Sequence, residues 1–252
     1  MGELVRIGVD DGVATITLDS QHNRNALSRQ LVTELSACLD EAERAGARAI
    51  VLRHEGPAFC AGADLTERST GASDPSPAST PMVSVMRRLM GTPRPTIAAV
   101  QGAVRAGGIG LMASCDLVVV DRAVTFALTE VRIGVAPAII AVPILRRVPA
   151  GKIAAAMLTG EAFSASDARE MGLVTHVSDD VTATIASLIT GILAGSPRAV
   201  AETKRVLGLV PTLDLDAAFT EMGALSDELF RGPDATEGMA AFREKRAPVW
   251  PD

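Results

Sequence analysis

The sequence predicts an α/β fold followed by an all-helical C-terminal unit, on three observations. Short apolar runs alternate with stretches of helical periodicity through roughly the first 180 residues, the alternation that builds strand–helix layers. Candidate strands such as IAAV and LVVV are apolar throughout, as strands covered on both faces must be. From about Val181 onward only helical patterns follow: ATIASLITGILAG, PRAVAETKRVLGLV, LDAAFTEMGALSDELF and ATEGMAAFREKR. The division expected is a core over residues 1–195 and a helical region over 196–252.

The elements follow in order. LVRIGVDDGVATITL places two alternating apolar runs around Asp10-Asp11-Gly12, and Asp-Gly tolerates the positive φ angles of a tight hairpin turn. Leu27, Leu31, Leu35 and Leu39 then recur at helical spacing, with Gly46 as the stop. ARAIVLRHEG reads as a third strand, AFCAGADLTER as a loop entering a helix, MVSVMRRLM as a helix and PTIAAVQG as a strand. Between them, Gly71 to Pro81 is rich in Ser, Pro and Ala, too polar to pack, and is expected to be a mobile loop short enough to act as a lid. VRAGGIGLMASCDLVVV opens a helix on a Gly-Gly pair and ends in a buried strand.

Composition narrows the function classes. The 252 residues are 48% hydrophobic and 21% charged, enough for one full core. Aromatics make up 3%, with no Tyr, so that core is built from Ala, Val, Leu, Ile and Met. A net charge of −6 with no Lys/Arg-rich run argues against a nucleic-acid partner. Cys38, Cys60 and Cys115 show no CxxC spacing and fit a reducing compartment, and His22, His54 and His176 show no metal-ligand spacing. MGELVRIGVDDG carries no signal-peptide pattern, and no apolar run reaches the ~18 residues that span a bilayer. The expectation is a cytoplasmic protein with no metal and no membrane partner.

Two glycine-bearing turns precede helices, Ala61-Gly62-Ala63-Asp64 and Ala106-Gly107-Gly108. Amides at a helix start lack intrahelical acceptors and carry partial positive charge, so two such turns meeting at one point would hold an oxyanion. Asp64 reads as a helix cap that shapes such a turn, and Asp116 as a structural hydrogen-bonding residue before a buried strand. Arg105 reads as an exposed turn arginine, His22 and His54 as loop residues, and Cys60 as core.

FCAGADL (Phe59–Leu65), PTIAAVQGAVRAGGIGLMASCDLVVV (Pro95–Val120) and FALTEVRIGVAP (Phe126–Pro137) resemble the enoyl-CoA hydratase/isomerase, or crotonase, superfamily. NRNALS (Asn23–Ser28), LTGEAFSASDAREMGLVTHV (Leu158–Val177) and EGMAAFREKRAP (Glu237–Pro248) extend the resemblance over nearly the whole chain. It implies a spiral of ββα units, with a helical C-terminal region that builds homotrimers, commonly paired as hexamers. It also implies an acyl-CoA thioester as substrate, with no cofactor beyond the coenzyme A that the substrate carries.

Residue by residue, the resemblance puts the oxyanion hole at the amides of Ala63 and Gly107 and a catalytic carboxylate at Glu130. Ala26, Ala61, Asp64 and Leu65 fall in segments that line the CoA path, with Arg24 near its phosphates. Phe242 and Lys245 fall where the last helix approaches the adenine, often from a neighbouring subunit. Hydratases of the superfamily use two glutamates; the second matches Glu130, whereas Gly110 occupies the position of the first. Gly110 is therefore counted among the substrate-binding positions, and Gly110→Glu is expected to raise hydration if hydratase geometry is kept. The reading is a hydratase-type enzyme with one glutamate. A Δ3-Δ2 enoyl-CoA isomerase using Glu130 alone, or a non-catalytic acyl-CoA binder, stands as the alternative.

Overall fold

The computed structural model describes residues 2–68 and 81–250. Strands β1 (Val5–Asp10) and β2 (Val13–Leu18) form the expected hairpin, with Asp10 opposite Val13. Between them Asp11 and Gly12 have φ of 45° and 77°, the left-handed pair whose twist suits a two-residue hairpin. Helix α1 (Arg29–Arg44) starts after Ser28, whose hydroxyl accepts from the Leu31 amide, and the chain leaves it through Gly46 at φ 67°. Leu31, Leu35 and Leu39 are buried as their spacing predicts. Leu27 is not on this helix, because its amide donates to Gly62 O at 2.7 Å in a bridge to Ala63.

The chain continues through β3 (Ala49–His54), β4 (Ala58–Cys60), α2 (Leu65–Arg68), α3 (Pro81–Gly91), β5 (Thr96–Val100), β6 (Ala103–Arg105) and α4 (Gly107–Ala113). Then come β7 (Leu117–Asp121), β8 (Thr125–Ala127), a 3-10 turn over Thr129–Ile133, α5 (Ala138–Leu145), α6 (Ala150–Thr159), β9 (Ala162–Ser164), α7 (Ala165–Met171) and β10 (His176–Ser178). Helices α8 (Val181–Ala194), α9 (Pro197–Leu209), α10 (Leu215–Phe230) and α11 (Pro233–Glu244) follow, with no strand among them. The expected lid lies outside the described residues up to residue 80; Pro81 opens α3.

Two sheets result, ordered β1-β2-β3-β5-β7-β10 and β4-β6-β8-β9. Consecutive strands alternate between them: β3, β5 and β7 run parallel in the larger sheet, and β4, β6 and β8 run parallel in the smaller. One face of the larger sheet buries Ile16, Leu52, Ala98 and Val118 against α1 and α3. The other buries Val51, Ile97 and Val119 under Val181 and Ile185 of α8. That double cover is why IAAV and LVVV carry no polar face.

Two residues differ from expectation. His54 is a buried strand residue rather than a loop residue: its Nε2 accepts the Gln101 amide at 3.1 Å, and its ring meets Phe59 edge-on. Arg105 ends β6, half-buried, and donates to Thr125 O and Oγ1, lacing β6 to β8 instead of standing in an exposed turn. Asp116 has the structural role expected of it. Its Oδ2 accepts from Thr96 N and Oγ1 and from Lys204 Nζ at 2.7 Å, while the same ammonium donates to Leu89 O and Arg94 O. Lys204 thus ties α9 to the core, although α9 itself has no buried residue.

Candidate active site

The smaller sheet delivers the site. Its three parallel strands end in three successive turns: β4 leads into Ala61–Ala63, β6 into Ala106–Gly107, and β8 into Thr129–Glu130. Neighbouring strands lie about 4.8 Å apart, so turns far apart in sequence emerge side by side. The Ala106 amide donates to Ala127 O at 2.9 Å, which carries the pairing of β6 and β8 to the point where the turns begin.

Each turn needs unusual backbone. Gly62 has φ 94°, and a Cβ built there would stand 2.9 Å from Ala106 Cβ and 3.3 Å from Gly107 N. A Cβ on Gly107 would in turn lie 3.5 Å from Ala63 N and 3.0 Å from Leu27 Cδ1. The two turns are therefore in van der Waals contact, and side chains at either glycine would occupy the space between them. Ala106 adopts φ 46° and ψ −120°, a conformation costing an L-residue roughly 1–3 kcal/mol. It turns the chain into α4 with the Gly107 amide at the helix's first position. Among the described residues neither the Ala63 nor the Gly107 amide has an acceptor. The sequence-predicted pair is thus brought together with both donors free.

A second layer holds the first turn in place. Asn25, buried at φ 56°, accepts from Ser20 N at 2.6 Å and donates to Ala58 O and Glu55 O. Arg24 O accepts from Ala61 N at 3.0 Å. The Arg24–Leu27 segment therefore lies along Ala61–Ala63, with Ala26 buried and the Arg24 side chain exposed. Sequence reasoning missed Asn25. A side chain that bonds backbone at Ser20, Glu55 and Ala58 leaves no periodic trace in its own segment.

Asp64 caps the short α2 as expected. Its Oδ1 accepts from Thr66 Oγ1 and N, and Asn23 Nδ2 donates to Oδ2; these bonds, those from Thr66 foremost, hold its carboxyl below the usual range. Leu65 beside it is 57% exposed. Phe242 is on α11 and Lys245 just beyond it, both exposed. Within the chain α11 packs on α10, and Trp250 just beyond it donates to Ala194 O at the end of α8.

Glu130 sits in the 3-10 turn after β8, half-buried. Among the described residues its Oε2, fully buried, has no hydrogen-bond partner. Burial pushes its carboxyl above the ordinary range, opposed only by its own backbone amide. A carboxyl that burial disfavours as an anion, and that no cation pairs with among the described residues, is suited to exchanging a proton.

Gly110 lies one turn into α4 and is buried, but not against open space. A Cβ built on it would stand 2.4 Å from Ile140 Cγ2, 2.6 Å from Ile140 Cβ and 2.7 Å from Met86 Cε. Its expected place along the substrate path is corrected accordingly: the hollow at Gly110 is filled by α5 and α3, and Gly110 is a packing residue.

This alternation of strands between two sheets, with three strand ends converging on one site, is the architecture of crotonase-fold enzymes. A crystal structure of enoyl-CoA hydratase from Mycobacterium smegmatis superposes with a TM-score of 0.89, at 33% identity and 98% coverage of both chains. The family model described as enoyl-CoA hydratase/isomerase matches residues 8–252. The chain belongs to the enoyl-CoA hydratase/isomerase family. A relative from Thermus thermophilus, named for enoyl-CoA hydratase, is 36% identical over 94% of this chain and 96% of its own length. The 1,2-epoxyphenylacetyl-CoA isomerase of Escherichia coli is 31% identical over 98% of both chains.

Proposed function

We propose that the chain acts on an enoyl-CoA thioester, with the amides of Ala63 and Gly107 binding the thioester oxygen and Glu130 alone moving the proton. The observation that carries this reading is the Glu130 carboxyl, its buried Oε2 unpartnered among the described residues, in the turn after β8, beside the strand that leads into the Gly107 turn. Two donors aimed at the oxygen stabilise the enolate formed when the carboxylate takes a proton from carbon; each is worth about 100–1000-fold in rate. Returning that proton to the far end of the conjugated system shifts the double bond, with no water and no second carboxylate. Migration of a 3-enoyl-CoA to its conjugated 2-enoyl isomer is therefore the reaction this geometry favours. Nothing in it changes oxidation state, so the proposal needs no cofactor besides the coenzyme A on the substrate.

Hydration is the second reading, and the hydratase names among the relatives favour it. It requires water placed by the substrate's own carboxylate or by another group, since Ile140 and Met86 fill the space at Gly110. Purified protein given a 3-enoyl-CoA and, separately, a 2-enoyl-CoA distinguishes the readings. Conjugation gained from the first substrate supports isomerisation; conjugation lost from the second supports hydration. Neither change, with the thioester still bound, would leave a non-catalytic binder.

The proposal extends to a homotrimer or a hexamer. Leu207, Leu215, Phe219, Phe230 and Phe242 on α9 to α11 are each at least 68% exposed, an apolar area that a second copy would cover. Light scattering should give three or six times the 26.1 kDa chain mass; a monomer at micromolar concentration would refute the assembly.

A further inference from the structure

The turn that carries Glu130 has no buried residue of its own and lies against α6 at the surface. Val131 to Ala136 are all exposed, and the stretch is pinned by Val135 N donating to Glu130 O and by Arg132 Nε donating to Thr159 O. Upstream, Leu128 is fully buried at the end of β8. Downstream, the first buried residue is Ile140 on α5, 5% exposed, and it sits in the hollow that Gly110 leaves on α4. Gly110 is three residues after Gly107, on the same face of a short helix. This apolar contact, within the wider packing of α4 on α5, links the helix bearing the Gly107 amide to the segment bearing the carboxyl.

We propose that Ile140, seated against Gly110, is a positioning residue that holds the Glu130 turn in register with the Gly107 amide. The idea rests on the reading of Glu130 and the two amides given above. Close packing makes such a contact sensitive to single methyl groups. A displacement of about 1 Å between reacting groups costs on the order of 100-fold. Of the atoms that fill the hollow, Ile140 Cγ2 stands nearest, with Ile140 Cβ and Met86 Cε beside it. Valine keeps an equivalent methyl, whereas alanine lacks it and Gly110→Ala overfills the space from the other side.

The test is exchange of the α-proton of a saturated acyl-CoA in deuterated water, which needs only carbonyl polarisation and the carboxylate. In that step the C–H bond breaks, Glu130 takes the proton, charge moves to the thioester oxygen, and a deuteron returns to the carbon. Ile140→Ala and Gly110→Ala are each expected to slow exchange at saturation by about 10–100-fold, with thioester Kd within about twofold of the parent. Ile140→Val should stay within about threefold. All are assayed well below the lowest Tm of the set, with Glu130→Gln in parallel. If Glu130→Gln abolishes exchange while Ile140→Ala or Gly110→Ala exchanges at the parent rate, the positioning role is overturned and the functional reading stands. Loss expressed in Kd, or Ile140→Val as slow as Ile140→Ala, also overturns it. Full exchange in Glu130→Gln, or none in the parent, overturns both.

Discussion

Glu130→Gln is expected to lower turnover of the preferred enoyl-CoA by about 100–10,000-fold, the contribution of a positioned general acid or base. The protein should remain folded, because among the described residues the buried Oε2 has no partner to orphan and glutamine keeps an oxygen for the residue's own backbone amide. Its pKa is raised in the folded state by burial. The folded protein therefore holds this proton more tightly than the unfolded chain does. Stability tied to Glu130 is complete below the unfolded carboxylate's pKa and declines as pH rises through the folded one. Glutamine cannot ionise, so the variant escapes that decline. Any constant cost of the buried amide aside, Tm of the variant relative to the parent should rise from acid toward neutral pH. A relative Tm that falls over that interval would mean that a partner stabilises the carboxylate. The parent's rate at low substrate should likewise climb through a pKa above the ordinary glutamate range.

Gly110→Glu is expected to destabilise the chain by at least about 3 kcal/mol, and not to create a better hydratase. The first added atom meets Ile140 at 2.4 Å and Met86 at 2.7 Å, both buried residues, before the carboxylate has been placed at all. Overpacking of this kind costs about 1–3 kcal/mol, and an uncompensated buried charge costs more. For a chain of this size the loss corresponds to a fall in Tm of roughly 10 °C. Denaturant unfolding of the parent and the variant measures it. A variant with the parent's midpoint that hydrates a short straight-chain enoyl-CoA would show instead that α5 moves aside readily. From the sequence alone a gain in hydration was expected on the condition that hydratase geometry is kept; the sequence shows that the side chain is absent and not what has taken its place.

The readable parts of the molecule share a property. Asp11-Gly12, Ser28 with Gly46, and the apolar strands at Ile97 and Val118 are specified by their own neighbourhoods: a turn needing positive φ, a helix needing a cap and a stop, a strand needing two apolar faces. The candidate site was legible for a different reason. Ala63, Gly107 and Glu130 sit in quoted motifs, and the backbone constraints at Gly62 and Ala106 are local to those turns. Residues whose role depends on a distant contact were misjudged or missed: Leu27, drawn out of helical register by Gly62 O; His54, buried by Gln101 and Phe59; Arg105, taken up by Thr125; and Asn25.

By itself the sequence determined the α/β core, the helical C-terminal region and the family, and it singled out the two amides and the carboxyl on which the proposed chemistry rests. Only the tertiary structure decided what surrounds them. The alternation between two sheets places three strand ends in one row, burial leaves Glu130 Oε2 without a partner among the described residues, and α5 closes the hollow at Gly110. The physical reason is that backbone preference acts over a few residues, whereas burial and close packing are set by atoms that the chain brings together from far apart.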